Sequence, residues 1–125
     1  MDVPKMAGWN LALRFLLELA ALFAIGAWGW SLSEHWPRYL LMIGMPLVAP
    51  ALWGTFNVPG DPSRSGKASV PVPGLVRLMI ELAILGTGAY ACYAVWSYPP
   101  ALIYTAALIV QYMAGWKRLV WLIRQ

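Results

Sequence analysis

Twice in this chain of 125 residues an arginine is followed four residues later by a glutamate, Arg14 by Glu18 and Arg77 by Glu81. Residues four apart lie on one face of a helix, close enough for an ion pair. Apolar residues surround each pair, Leu13, Phe15, Leu16 and Leu17 in the first case and Leu78, Met79, Ile80 and Leu82 in the second. A carboxylate set against hydrocarbon costs roughly 3 kcal/mol or more, so Glu18 and Glu81 are expected to face a protein interior, paired or protonated. Arg14 stands nearer the start of its segment and is expected to snorkel to water. Two chemistries remain open. The four charges act as polar glue between helices, or they form a water-accessible carboxylate site for protons, cations or a small polar solute. Gln111 falls near the same depth and joins Arg14, Glu18, Arg77 and Glu81 as a candidate member of one polar network. The carbonyls freed by Pro46 and Pro50 are further candidates.

Other motifs lead to less. The stretch from Gly60 to Ser69 resembles a phosphate-binding loop only superficially: five residues separate Gly60 from Gly66, and Ala68 stands where a hydroxyl is needed. Such a loop has four residues there and follows a strand, so no nucleotide is expected. Arg64, Lys67, Lys117 and Arg118 are read instead as contacts to anionic lipid headgroups. Glu34 and His35 supply at most two metal ligands, and a metal is not expected. Cys92 is the single cysteine, which rules out an intrachain disulfide and a thiolate cluster. Tyr90, Tyr93 and Tyr104 are read as packing residues. No Ser–His–Asp or Cys–His set assembles, so neither an enzyme nor a cofactor is expected.

The elements that must hold the charged pairs follow from composition. Hydrophobic residues make up 61% of the chain and charged residues 11%, against about 45–50% apolar in an ordinary soluble domain. So small a globule has too little interior for that content, whereas a bilayer accepts it. Four spans are expected, over 10–31, 36–53, 75–97 and 101–116. The first reaches about 33 Å as a helix and the second about 27 Å. Pro99 and Pro100 are expected to break the second pair, and the Pro-, Gly- and Ser-rich stretch 55–74 is the central loop. Lys5, Arg64, Lys67, Lys117, Arg118 and Arg124 share one face with both termini, and Arg38 stands alone opposite. The net charge of +4 therefore records orientation rather than nucleic-acid binding, with both termini and the central loop cytoplasmic. Trp9, Trp36, Trp53, Trp96, Trp116 and Trp121 fall near span ends, as anchoring indoles do.

A shift of 63 positions, the distance from Arg14 to Arg77, lays the first half on the second. Glu18 meets Glu81, Leu22 meets Leu85, Pro37 meets Pro100 and Trp53 meets Trp116. The expected fold is an all-α, integral membrane four-helix bundle of one domain. It consists of two tandem hairpins, about 10–54 and 75–118, related by a pseudo-two-fold axis along the membrane normal. Small residues concentrate in the first and third spans, Ala20, Ala21, Ala24, Gly26 and Ala27 in one and Ala83, Gly86, Gly88, Ala89 and Ala91 in the other. These two spans are therefore expected to meet at the centre. The expected partners are the lipid bilayer and either a membrane protein or a second copy of the chain.

Several motifs carry a family resemblance: Asn10 with Arg14-Phe15 and Glu18-Leu19, the Trp28-Gly29-Trp30 stretch, Trp53-Gly54 with Phe56 and Pro59, and Arg77 with Glu81-Leu82. Over nearly its whole length the chain resembles the YrdB-like family of small bacterial inner-membrane proteins of unknown function. The resemblance implies four spans and a bacterial membrane, and it supplies no reaction or ligand. The function expected is that of a non-enzymatic interaction protein or accessory membrane subunit, with a transporter or ion pathway through Glu18 and Glu81 as the alternative.

Overall fold

A computed structural model of the chain describes residues 5–62 and 70–125. Apart from one short ladder the regular elements among these residues are helices: α1 Gly8–Ser31, α2 Pro37–Thr55, α3 Gly74–Trp96, α4 Tyr98–Ala114 and α5 Trp116–Ile123. The ladder pairs β1 Phe56–Asn57 with β2 Val70–Pro71 in parallel, Phe56 opposite Val70. Two helices, α1 and α3, are long and apolar enough to cross a membrane.

The inward stripe of α1 runs through Asn10, Arg14, Leu17, Ala21, Ala24 and Ile25, and that of α3 through Gly74, Arg77, Glu81, Ile84, Leu85, Gly88, Ala91 and Cys92. Steps of three and four keep one face of a helix towards its neighbour. Both stripes are polar at one end and small-sided at the other. The two helices consequently pack on each other along their length, with α2 laid mainly on α1 and α4 on α3 and α1. Small side chains let the backbones approach. Leu17, Ala21, Ala24, Leu85, Ala91, Cys92 and Tyr104 form the core of that contact. The Tyr104 hydroxyl donates to the Leu85 carbonyl at 2.8 Å, tying α4 to α3.

Gly29 sets the approach of α2. A Cβ there would lie 2.5 Å from the Leu41 carbonyl oxygen and 3.1 Å from the Met45 sulfur. Backbone cannot yield as a flexible side chain can, so Gly29→Ala is expected to destabilise the protein by about 1–3 kcal/mol. A fall in the unfolding midpoint of the purified protein would show it. Pro46 and Pro50 lie within α2, which continues through them. The Met42 carbonyl freed by Pro46 faces Gly26, 3.1 Å from where a Cβ would be, rather than a charged group.

The connection from α3 to α4 departs from expectation. Pro99 and Pro100 do not interrupt a helix; they occupy the first turn of α4, where a missing N–H goes unnoticed. The reversal falls on Ser97 alone, at φ 99° and ψ −165°, a region that is essentially glycine's. Ser97→Gly is expected to raise stability by about 1 kcal/mol or more, seen as a higher unfolding temperature.

Two further features depart from expectation. The chain folds into α5 after Gly115, and part of the central loop is not solvated: Asn57, Val58 and Asp61 are buried. Val58, Trp121 and Leu122 form a small second core there, packed against Leu78. Trp121, expected as an interface anchor, is a core residue instead, because α5 turns its apolar side onto α3. Trp9, Trp36, Trp96 and Trp116 are exposed.

Candidate functional site

The polar ends of the α1 and α3 stripes meet at the end of the bundle from which α1 and α3 start and where α2 and α4 finish. Helix ends bring unpaired backbone groups to the same level. Arg77 serves two of them, its Nη1 donating to the carbonyls of Trp53 at 2.7 Å and Phe56 at 3.0 Å. A guanidinium at the C-terminus of α2 also suits the negative end of that helix dipole. Asn57 Nδ2 donates to the Gly54 carbonyl at 3.1 Å, so side chains from outside the helix hold the last turn of α2.

Glu81 is the centre of the site. Its Oε2 accepts from Arg77 Nε at 2.8 Å and from Arg118 Nη2 at 2.7 Å. Its Oε1 accepts from the Tyr112 hydroxyl at 2.8 Å and Arg118 Nη1 at 3.1 Å, and lies 2.8 Å from Arg14 Nη2. Five donors thus converge on a carboxylate that has about four lone-pair directions. Arg118 also forks onto Asp61, Nε to Oδ1 at 2.7 Å and Nη2 to Oδ2 at 2.6 Å. Burial works against the Arg118 charge, but the hydrogen bonds it donates to Asp61 and Glu81 outweigh it and hold the proton more tightly than in water.

Glu18 sits at the margin. It accepts from Arg14 Nε at 3.0 Å, and its side chain is 26% exposed against 1% for Glu81. The sequence pattern treats the two glutamates as equivalent, but their surroundings are not. Arg14, expected to snorkel, is buried and bridges Glu18 to Glu81, because two carboxylates lie inward and its guanidinium carbon also rests 5.7 Å from the Tyr112 ring centre. Gln111 is buried but bonds to Asn10 rather than to a charge. Its Nε2 donates to Asn10 Oδ1 at 2.8 Å, and Asn10 Nδ2 returns a 3.4 Å bond to its main-chain carbonyl.

The headgroup assignments divide. Lys117 is exposed. Arg118 is not a headgroup contact: it is buried, turned inward by α5 to meet Asp61 and Glu81. Arg64 and Lys67 lie outside the described residues. Gly74 permits the docking of α5, since a Cβ at that position would collide with the Leu122 carbonyl.

Asp61 and Tyr112 are the members of the site that the motifs did not mark; Asn10 entered only through the family resemblance, and Arg118 only as a headgroup contact. One signal was available. The shift that lays Glu18 on Glu81 lays Ala49 on Tyr112 and Thr55 on Arg118, so the halves differ where the added partners of Glu81 arise.

Chemically, three guanidiniums face three carboxylates, and every Glu81 oxygen is occupied. Arg14 Nη1 is buried without a hydrogen-bond partner among the described residues. At Glu81 the site therefore has a donor to spare and no acceptor.

Comparison with known proteins agrees with the motifs. No solved structure matches the chain. Over 123 residues, 98% of this chain and 100% of the other, it is 36% identical to the uncharacterized protein YrdB of Bacillus subtilis (strain 168). Residues 12–110 match the family described as a protein of unknown function, DUF2568. The chain therefore belongs to this YrdB-like family, whose biochemical role is unknown.

Proposed function

We propose that the protein is a multi-pass protein of the bacterial inner membrane that acts by holding a membrane partner or a second copy of itself, and that the Glu81 cluster is its structural lock. On this reading α1–α4 cross the bilayer as one domain of two tandem hairpins. The start of α1, the 56–73 connection and α5 lie on the cytoplasmic side. Support comes from the lysine and arginine distribution and from the many large apolar side chains left outward, among them Phe15, Phe23, Leu40, Ile43, Ile103 and Met113. The observation that carries the functional reading is the saturation of Glu81. A transport carboxylate must release its partners to take up a proton or cation, and here five donors from α1, α3, α4 and α5 hold it. Those donors join elements distant in the chain, as a cross-link does.

Three measurements test this. In a Cys92→Ala background, cysteines at 67 and 125 should react with an impermeant reagent from the cytoplasmic side and a cysteine at 35 from the opposite side. In proteoliposomes carrying a pH-sensitive dye, the wild-type protein should pass no protons or monovalent cations. Isolation from native membranes should return a second component, or a second copy, at fixed stoichiometry. A flux that disappears in a folded Glu18→Gln variant would overturn the structural reading in favour of an ion pathway.

A further inference from the structure

At the far end of the bundle from Glu81, α1, α2 and the last turn of α3 enclose an apolar groove of about 750 Å³. Its walls include Phe23, Ala27, Trp30, Met42, Pro46 and Trp96. Phe23 stacks on Trp96, with ring centres 5.7 Å apart and planes 5° from parallel, and closes one side. Trp30 meets Tyr39 edge-on at 5.2 Å near the turn between α1 and α2. Arg38 covers the Trp30 ring, its guanidinium carbon 3.6 Å from the ring centre, and its buried Nε has no hydrogen-bond partner among the described residues. No other described lysine or arginine lies at this end; Lys5, Arg14, Arg77, Lys117, Arg118 and Arg124 are all at the other.

An apolar channel with one cation stacked on a residue of its wall, Trp30, matches an amphiphile with a hydrocarbon tail and an anionic head. Along α1 the groove extends from Leu22 to beyond Trp30, about 12 Å of helix, near the ~15 Å half-thickness of a hydrocarbon core. Its volume falls within the roughly 300–1,000 Å³ of small-ligand sites. Guanidinium is weakly hydrated and forks onto phosphate oxygens, and the Trp30 stack fixes its orientation. A second groove, about 510 Å³ between α1, α3 and α4, is walled by Leu16, Phe23, Trp96, Pro100 and Ile103 among others. No described guanidinium is stacked on its walls as Arg38 is on Trp30, which makes it an internal contrast.

We propose that the Arg38 groove binds one anionic phospholipid of the leaflet opposite the Glu81 cluster, an acyl chain lying between α1 and α2 and the phosphate at Arg38. This rests on the membrane reading above. The test is native mass spectrometry of the full chain in a neutral detergent, titrated with phosphatidylglycerol and with phosphatidylethanolamine of identical chains. One phosphatidylglycerol should be retained with about fivefold preference, the effect of one cation facing a net anionic rather than a zwitterionic headgroup. Arg38→Gln should bring that ratio close to one. Ala27→Phe, which fills the groove, should lose lipid of both kinds while keeping its helical spectrum, and Arg124→Gln, at the other end of the bundle, should change nothing. The proposal is overturned if the preference survives Arg38→Gln, if Arg124→Gln removes it, or if inorganic phosphate competes as well as the lipid. A chain that stays monodisperse in buffer without detergent would defeat the membrane reading itself, an outcome distinguishable from the others.

Discussion

Glu81→Gln is expected to lower the stability of the purified protein by about 3–5 kcal/mol, and Glu18→Gln by less than about 1 kcal/mol. The two glutamates are matched in the sequence, each four residues after an arginine, so unequal effects would come from their surroundings alone. Removing the charge at Glu81 leaves Arg14, Arg77 and Arg118 crowded around a neutral amide, and the amide nitrogen must point at one of them. Breaking a buried ion pair by deleting one partner costs more than the pair contributes, because the remaining charge is left desolvated. Glu18 has a single arginine and is exposed at one side, so its substitution leaves one guanidinium, not three, without its carboxylate. Reversible unfolding in mixed micelles, followed by far-ultraviolet circular dichroism, measures both. Equal losses would contradict a network centred on Glu81.

Arg118→Gln is expected to cost about 3 kcal/mol and to free α5 from the bundle. An isolated helix of eight residues does not persist in water, so α5 depends on what it docks against. Its anchors are the Trp121 and Leu122 contacts with Val58, the close approach to Gly74, and the Arg118 fork onto Asp61 and Glu81. Asp61→Asn removes one branch of that fork. The double variant should therefore cost less than the two single losses together, by about 1 kcal/mol or more, as expected for groups in one network. Hydrogen exchange supplies a local readout: amides of 118–123 should exchange faster in Arg118→Gln, while those in the middle of α3 keep their protection. An additive cycle with unchanged exchange in α5 would mean that Arg118 does not hold this helix.

Much of the helical scaffold was legible because it depends on local periodicity. The spacing of Arg14 to Glu18 and Arg77 to Glu81, the small residues of α1 and α3, and the proline- and glycine-rich stretch between the halves each act over a few residues. The ion pairs within a helix follow from one turn of α-helix and require nothing distant. Pro99 and Pro100 marked the α3–α4 reversal, but the residue that makes it is Ser97, since proline stabilises the first turn of a helix as readily as it ends one.

The amino-acid sequence by itself determined that this chain is helical and strongly apolar, that two arginine–glutamate pairs form at one level, and that the family motifs surround them. Only the tertiary structure decided that Glu81, and not Glu18, becomes the hub. That choice depends on Arg118 and Asp61, which are 57 positions apart in the chain, and on Tyr112, 31 positions from Glu81. They converge because Gly74 lets α5 lie across the end of the bundle, where Val58 and Leu78 help bury its apolar face. No local spacing encodes such a contact. Burial then separates two carboxylates that each follow an arginine by four residues, one closed off by three guanidiniums and the other left partly exposed beside a single one.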